Sequence, residues 1–319
     1  MITVNGINMH IAEQGNGPLI LLCHGFPETS YSWRHQLKEL AAAGFHAVAP
    51  DMRGYGKTDS PDNIESFNVR EIVADIVGLL DTLGEEKAII VGNDWGATIA
   101  WQAALREPQR FHGVVALGVP MMQRAPVAPS SFFPKTADEE LYVLYFETPG
   151  VAEAELDANV KETLLKIMFA ASGDAGPRLP NDGTPNPFGM VSRKEGLLSA
   201  LPIPDQLPSW LTQDDLTTFA ESFELSGFRG GLNYYRNLDR NWELEAAIAG
   251  IPVSIPALYL VGERDTGLSI SGMKEIIASM PSVVTDLRGS LVVPECGHWL
   301  SQERPALLTR AIIDFANSL

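Results

Sequence analysis

Ala88-Ile89-Ile90-Val91-Gly92-Asn93-Asp94-Trp95-Gly96-Ala97 runs an apolar strand into Gly-x-Asp-x-Gly and then, without a break, into helical spacing. This is the strand, sharp turn and helix that thrust a nucleophile up at a sheet edge, with aspartate where serine is more usual. Such a turn is so tight that side chains at positions 92 and 96 would collide with neighbouring backbone, which explains both glycines. The amide of Trp95 opens the helix and points at charge forming beside Asp94. An ordinary βα turn with an aspartate N-cap has the same residues, so the surroundings of the turn decide between the two.

Outward from it, short apolar runs alternate with helical patterns, the βαβ signature of a mostly parallel sheet. Strands are expected at residues 2–4, 9–13, 19–23, 46–50, 88–92, 113–117, 257–262 and 290–293, the first two as a hairpin through Asn5-Gly6. Helices are expected at 33–43, 69–83, 97–106 and 306–317, with Pro305 at the first turn of the last. The alternation breaks after about Pro120 and resumes near Ile251; the part between is helical and irregular, and rich in Pro and Gly over 175–189. It reads as an insertion folding over the carboxyl edge of the sheet, where ligands of open α/β sheets bind. The expected division is core 1–125, helical cap 126–250 and core 251–319.

Composition narrows the function. With 45% hydrophobic residues, 20% charged and a mean hydropathy near zero, the chain has the profile of a globular enzyme. A net charge of -17 repels nucleic acid and anionic membranes, so neither is an expected partner. No leader segment and no apolar run of spanning length is expected. The two cysteines, Cys23 and Cys296, form no disulfide framework, which fits a cytoplasmic location. No Cys/His spacing suits a metal, so no metal or cofactor is expected.

A carboxylate nucleophile suits displacement at saturated carbon, giving an alkyl ester of the enzyme that water then cleaves at the aspartyl carboxyl carbon. Asp94 therefore points to epoxides or organic halides. His298, in Pro294-Glu295-Cys296-Gly297-His298-Trp299, lies in a glycine-flanked loop between a late strand and the final helix. Asp265 ends Tyr259-Leu260-Val261-Gly262-Glu263-Arg264-Asp265, just past a strong strand, with Glu263 as a competitor for its role. The order nucleophile, acid, histidine assigns water activation to His298 and its orientation to Asp265. Upstream, His24-Gly25-Phe26-Pro27 follows a strand, and the amide of Phe26 could join that of Trp95 as an oxyanion donor. His24 and Pro27 shape this part of the binding site, His24 as a structural histidine bonding loop backbone. Gly54-Tyr55-Gly56-Lys57-Thr58 lacks the first glycine of a phosphate loop, where Asp51 stands, and is a turn.

The residues together resemble the soluble-type α/β-hydrolase epoxide hydrolases over nearly the whole length. The matching pieces are His24-Gly25-Phe26-Pro27, Arg53-Gly54-Tyr55-Gly56, Gly92-Asn93-Asp94-Trp95-Gly96, Tyr145-Phe146, Pro149 to Leu156, Asn233-Tyr234-Tyr235-Arg236-Asn237 and Gly297-His298-Trp299. The resemblance implies an α/β-hydrolase fold, with an eight-stranded sheet and a helical lid between strands 6 and 7. It implies a small epoxide and water as substrates, a vicinal diol as product, and a monomer or homodimer. Two lid tyrosines hydrogen-bond the epoxide oxygen in this family; by motif they fall on Tyr145 and Tyr235, with Tyr142 and Tyr234 as packing. An alkoxide is a bad leaving group, so ring opening needs acids, and a phenol with an ordinary pKa of about 10 stays a donor at neutral pH. The family most often has histidine where this chain has Asn93, which is expected to alter site hydration or selectivity. A haloalkane or haloacid dehalogenase uses the same Asp-His-Asp chemistry, and a non-catalytic ligand receptor on this fold is a further alternative. A serine esterase has no serine in the turn.

Overall fold

A computed structural model describes residues 1–178 and 183–319; part of the Pro- and Gly-rich run at 175–189 thus lies outside the described residues. The chain opens with an antiparallel pair, β1 (Ile2–Val4) and β2 (Ile7–Met9), that stands apart from the main sheet. The main sheet has seven strands: β3 (Ile11–Gln14), β4 (Leu19–Cys23), β5 (His46–Pro50), β6 (Ala88–Asn93), β7 (Phe111–Leu117), β10 (Ala257–Gly262) and β11 (Leu287–Val293). A third, small sheet pairs β8 (Glu139–Leu141) with β9 (Met190–Ser192). The strand order is β11-β10-β7-β6-β4-β5-β3, parallel except for β3, which runs antiparallel to β5. The expected eight-stranded sheet is thus corrected to seven among the described residues. The stretch read as one strand at 9–13 breaks at His10 into β2 and β3, and only β3 joins the sheet.

The central strands are apolar along nearly their whole length because both sheet faces are covered. On one face Ile20, Leu22, Ile89, Val91, Val115, Leu117 and Leu260 pack with α1 (Arg34–Ala42) and α12 (Pro305–Ala316). On the other, Leu21, Ile90, Val114, Ala116 and Tyr259 pack with α2 (Val69–Leu83) and α3 (Trp95–Arg106). The alternation of faces follows from the period of two along each strand. Local chemistry sets the helix ends. Asn68 accepts from the amides of Arg70 and Glu71 to start α2, and Gly84, at φ 77°, stops it.

Between β7 and β10 the chain runs through α4 (Tyr142–Glu147), α5 (Val151–Leu156), α6 (Val160–Ala171), α7 (Gln213–Ser226), α8 (Arg229–Arg236) and α9 (Leu238–Glu245). The chain after β10 adds α10 (Met273–Ser279) and α11 (Leu300–Glu303). Among the described residues no helix is long and apolar enough to cross a membrane.

Candidate active site

Asp94 sits between β6 and α3 with φ 53° and ψ -119°, a region an L residue occupies only when its surroundings enforce it. The surroundings are two glycines. A Cβ at Gly92 would land on the carbonyl oxygen of Gly96, and one at Gly96 on that of Cys23. The N-cap alternative fails on geometry, because the Asp94 carboxylate makes no capping bond to α3. Instead its Oδ1 accepts the backbone N–H of Phe26 at 2.8 Å, and its side chain is largely buried.

The sheet order brings the remaining parts together. Asp265 follows β10 and His298 follows β11, two neighbouring strands, and β7 alone separates β10 from β6. His298 Nδ1 lies 2.9 Å from Asp265 Oδ2, and His298 Nε2 lies 3.5 Å from Asp94 Oδ2. The carboxylate at Nδ1 fixes the tautomer, so Nδ1–H donates to Asp265 and Nε2 faces Asp94. At the end of β7, Gly118 leaves room for this pair: a Cβ there would lie 3.2 Å from Asp265 Oδ2 and 3.5 Å from His298 Cε1. Glu263 does not compete, since its carboxylate accepts the N–H of Glu295 at 3.0 Å.

The electrostatics are those of two anions around one imidazole. Burial disfavours the His298 cation, but the charges and hydrogen bonds of Asp265 and Asp94 outweigh it and hold its pKa well above the usual histidine range. For Asp265, burial pushes upward, yet His298, the amide of Gly267 and the charge of Arg178 carry its pKa below the ordinary carboxylate value.

His24 is a structural residue. Its Nε2 accepts the N–H of Met52 at 2.9 Å, which leaves Nδ1–H to donate to Gly25 O at 2.9 Å, so both ring nitrogens are used. Burial lowers its pKa and keeps it neutral. Pro27, joined to Phe26 by a cis peptide, is buried beside it. Gly54 to Thr58 form the expected turn, closed on Asp51, whose Oδ2 accepts the N–H of Lys57 at 3.1 Å.

The tyrosines require a correction. Tyr235 is buried with its ring 5.2 Å from Trp95 and 5.6 Å from Phe26, and Asp94 is the charge that acts most strongly on it. Tyr145 does not face it. The Tyr145 hydroxyl donates to Glu155 Oε2 at 2.7 Å, and Glu155 also accepts the amides of Leu197 and Leu198. The second phenol beside Tyr235 is Tyr142, with ring centroids 5.7 Å apart and Asp94 as the charge acting on it. Three positions along a helix differ by about 60° around its axis, enough to send one side chain of α4 toward Asp94 and the other toward α5. Burial raises the pKa of both Tyr142 and Tyr235, so both remain donors. Tyr234 packs as expected, its hydroxyl donating to Arg53 O at 3.1 Å.

Two residues escaped the sequence reading. Phe188 lies over the site from the helical segment, 5.4 Å from the His298 ring and 5.3 Å from Tyr142, with no periodic signal in its irregular stretch to mark it. Glu28, fully buried, accepts from Asn93 Nδ2 at 3.0 Å and from Gln302 Nε2 at 3.2 Å. Its place right after His24-Gly25-Phe26-Pro27 was a usable signal. Among the described residues no group of three or more His, Cys, Asp or Glu could hold a metal.

A model of the alpha/beta hydrolase fold matches residues 18–305. Epoxide hydrolase A of Mycobacterium tuberculosis is 38% identical over 322 aligned positions that span 100% of this chain and 97% of its own. Epoxide hydrolase 3 of Siraitia grosvenorii is 41% identical, covering 99% of this chain and 97% of its own. Among solved structures, an epoxide hydrolase from an endophytic Streptomyces superposes with a TM-score of 0.93 at 39% identity, over 99% of this chain and 94% of its own. Identity at this level extends from one end of the chain to the other, and the chain therefore belongs to the alpha/beta-hydrolase-fold family, in its epoxide-hydrolase branch.

Proposed function

We propose that the chain hydrolyses epoxides to vicinal diols through an alkyl ester of Asp94. The observation that carries this reading is the pair of adjoining phenols, Tyr142 and Tyr235, with ring centroids 5.7 Å apart and the Tyr235 ring 5.2 Å from Trp95, the residue next to Asp94. A carboxylate oxygen of Asp94 forms a bond to an epoxide carbon as the ring C–O bond breaks, and the phenols donate to the oxygen as it becomes an alkoxide. A departing halide needs no proton, so a pair of phenol donors beside the nucleophile favours an epoxide over an organic halide.

His298 then serves as base, oriented by Asp265. Ester formation itself prepares this step. The ester is neutral, so one of the two anions that stabilise the His298 cation disappears when a neutral imidazole is needed. Water loses a proton to Nε2 and attacks the ester carbonyl carbon of Asp94. The oxyanion lies against the N–H of Phe26, which already contacts Asp94 Oδ1, and that of Trp95 at the start of α3. Collapse breaks the acyl C–O bond, the proton held on Nε2 passes to the leaving oxygen, and the diol is released.

In this reading the helices between β7 and β10 act as a lid over the carboxyl edge, partners are limited to a small epoxide and water, and the enzyme works in the cytoplasm as a monomer or homodimer. The test is His298→Gln mixed with styrene oxide and weighed intact. A gain of one whole epoxide, absent when Asp94→Ala is added, is expected; steady diol formation by Asp94→Ala alone sinks the proposal.

A further inference from the structure

The loop that carries His298 is held by a contact that neither the nucleophile turn nor the phenols use. Glu303, in α11, is buried, and its carboxylate accepts three backbone N–H groups. Oε2 takes those of Gly297 at 2.8 Å and Gly173 at 2.9 Å, and Oε1 takes that of Trp299 at 3.1 Å. Gly297 and Trp299 flank His298, whereas Gly173 belongs to the short turn that follows α6 in the helical segment. Ala171, the last residue of α6, accepts the backbone N–H of His298 itself at 3.0 Å, and Met168 O in the same helix accepts Trp299 Nε1 at 2.7 Å.

The two backbones also touch directly. A Cβ at Gly297 would land on the nitrogen of Gly173, and a Cβ at Gly173 on the carbonyl oxygen of Glu295. The glycines therefore exist as a pair, one on each side of a seam that the Glu303 carboxylate closes. Bonds from N–H to a buried carboxylate are charge-assisted and among the stronger ones available. Asp94 stands on a different unit, the β6–α3 turn, and receives none of these bonds.

We infer that Glu303 is a positioning residue for His298: it ties the base loop to the turn after α6, so that the imidazole is aligned only while the helical segment is seated on the core. Glu303 touches no reacting atom and acts through Gly297 and Trp299. This rests on the reading of His298 as the base of the second step. It follows that loosening the seam slows ester hydrolysis and spares ester formation. A misplacement of about 1 Å costs on the order of 100-fold in such a step.

Glu303→Gln keeps the size of the side chain but replaces one accepting oxygen by an amide N–H2, which must face either the N–H of Trp299 or those of Gly297 and Gly173. The measurement is single-turnover mixing with styrene oxide, following ester formation and decay by rapid quench and intact mass, alongside thermal melts. Expected are ester formation within about twofold of wild type and ester decay slowed roughly 10- to 100-fold, so that the ester accumulates. Gly173→Ala, which pushes on the same seam from the other side, should show the same split, and it carries the test if Glu303→Gln does not fold. A folded Glu303→Gln or Gly173→Ala protein in which both steps slow in proportion, or neither does, overturns the inference. His298→Gln is the control: ester there and not in the seam variants sinks the inference alone, and no ester in any of them sinks the ester reading and this inference with it.

Discussion

Exchanging one phenol at a time separates the tyrosine that does chemistry from the one that holds the helices together. Tyr142 is half-buried, its ring against Phe146, Phe188 and Tyr235, so a hydrogen bond from it to a forming alkoxide is partly shielded from water. Such a charge-assisted bond contributes about 1.5 to 3 kcal/mol, and about 4 kcal/mol at the upper end for an oxyanion donor in a closed site. At about 1.4 kcal/mol per decade, Tyr142→Phe should slow ester formation roughly 10- to 1,000-fold. Tyr235 remains as a second donor, so turnover should not vanish. Tyr145→Phe removes one bond to Glu155, which still accepts the amides of Leu197 and Leu198. Its effect should be a stability loss of about 1 to 2 kcal/mol with ester formation close to wild type. Stopped-flow tryptophan fluorescence under single-turnover conditions reads the first effect, and urea unfolding the second. If Tyr145→Phe slows ester formation as much as Tyr142→Phe does, the assignment from geometry is wrong and the motif assignment stands.

The Asp94→Asn variant should lower the pKa of His298, since one of the two flanking anions is gone; a histidine NMR titration with an unmoved resonance would contradict the two-anion picture. In the intact protein the raised His298 pKa means that its pairing with Asp265 stabilises the fold fully below the unfolded histidine pKa of about 6.5 and that this is lost as pH rises through the folded-state value. The melting temperature of wild type relative to His298→Gln should therefore fall on the alkaline side, and a constant difference would count against it. Asn93→Ala leaves the buried Glu28 carboxylate with Gln302 alone, which should cost about 1 to 3 kcal/mol in urea unfolding while ester formation at Asp94 persists. Gly96→Ala should fail to fold, because its methyl would occupy the position of the Cys23 carbonyl; a soluble, active protein would show that the turn can relax.

The nucleophile turn, the carboxyl ends of the main-sheet strands and the order of Asp94, Asp265 and His298 were legible because each rests on local constraints: glycines that tolerate no side chain, and apolar runs covered on both sides. The tyrosine register was not. Tyr142 and Tyr145 share one short helix and the same residue type, and only the position of Glu155, brought up by α5, decides which hydroxyl is already engaged. The break at His10, which costs the main sheet a strand, likewise reflects pairing rather than propensity: β3 pairs with β5, while β2 pairs only with β1. Phe188 was beyond reach for a similar reason, since its contact with His298 joins an irregular stretch to the far end of the chain.

The strand order has a consequence for how activity is acquired during folding. β7 ends at Leu117 and its partner β10 begins only at Ala257, so the imidazole and its acid meet the nucleophile after a long detour of helices. Closing so large a loop adds little to the equilibrium cost, because the entropy grows only with the logarithm of length, about 0.6 kcal/mol for each doubling. Kinetically it is a late event, since non-local pairing is slow to find. A refolding chain should thus regain its β4–β7 half and its helices before it regains turnover, and recovery of activity becomes a clock for the docking of β10 and β11.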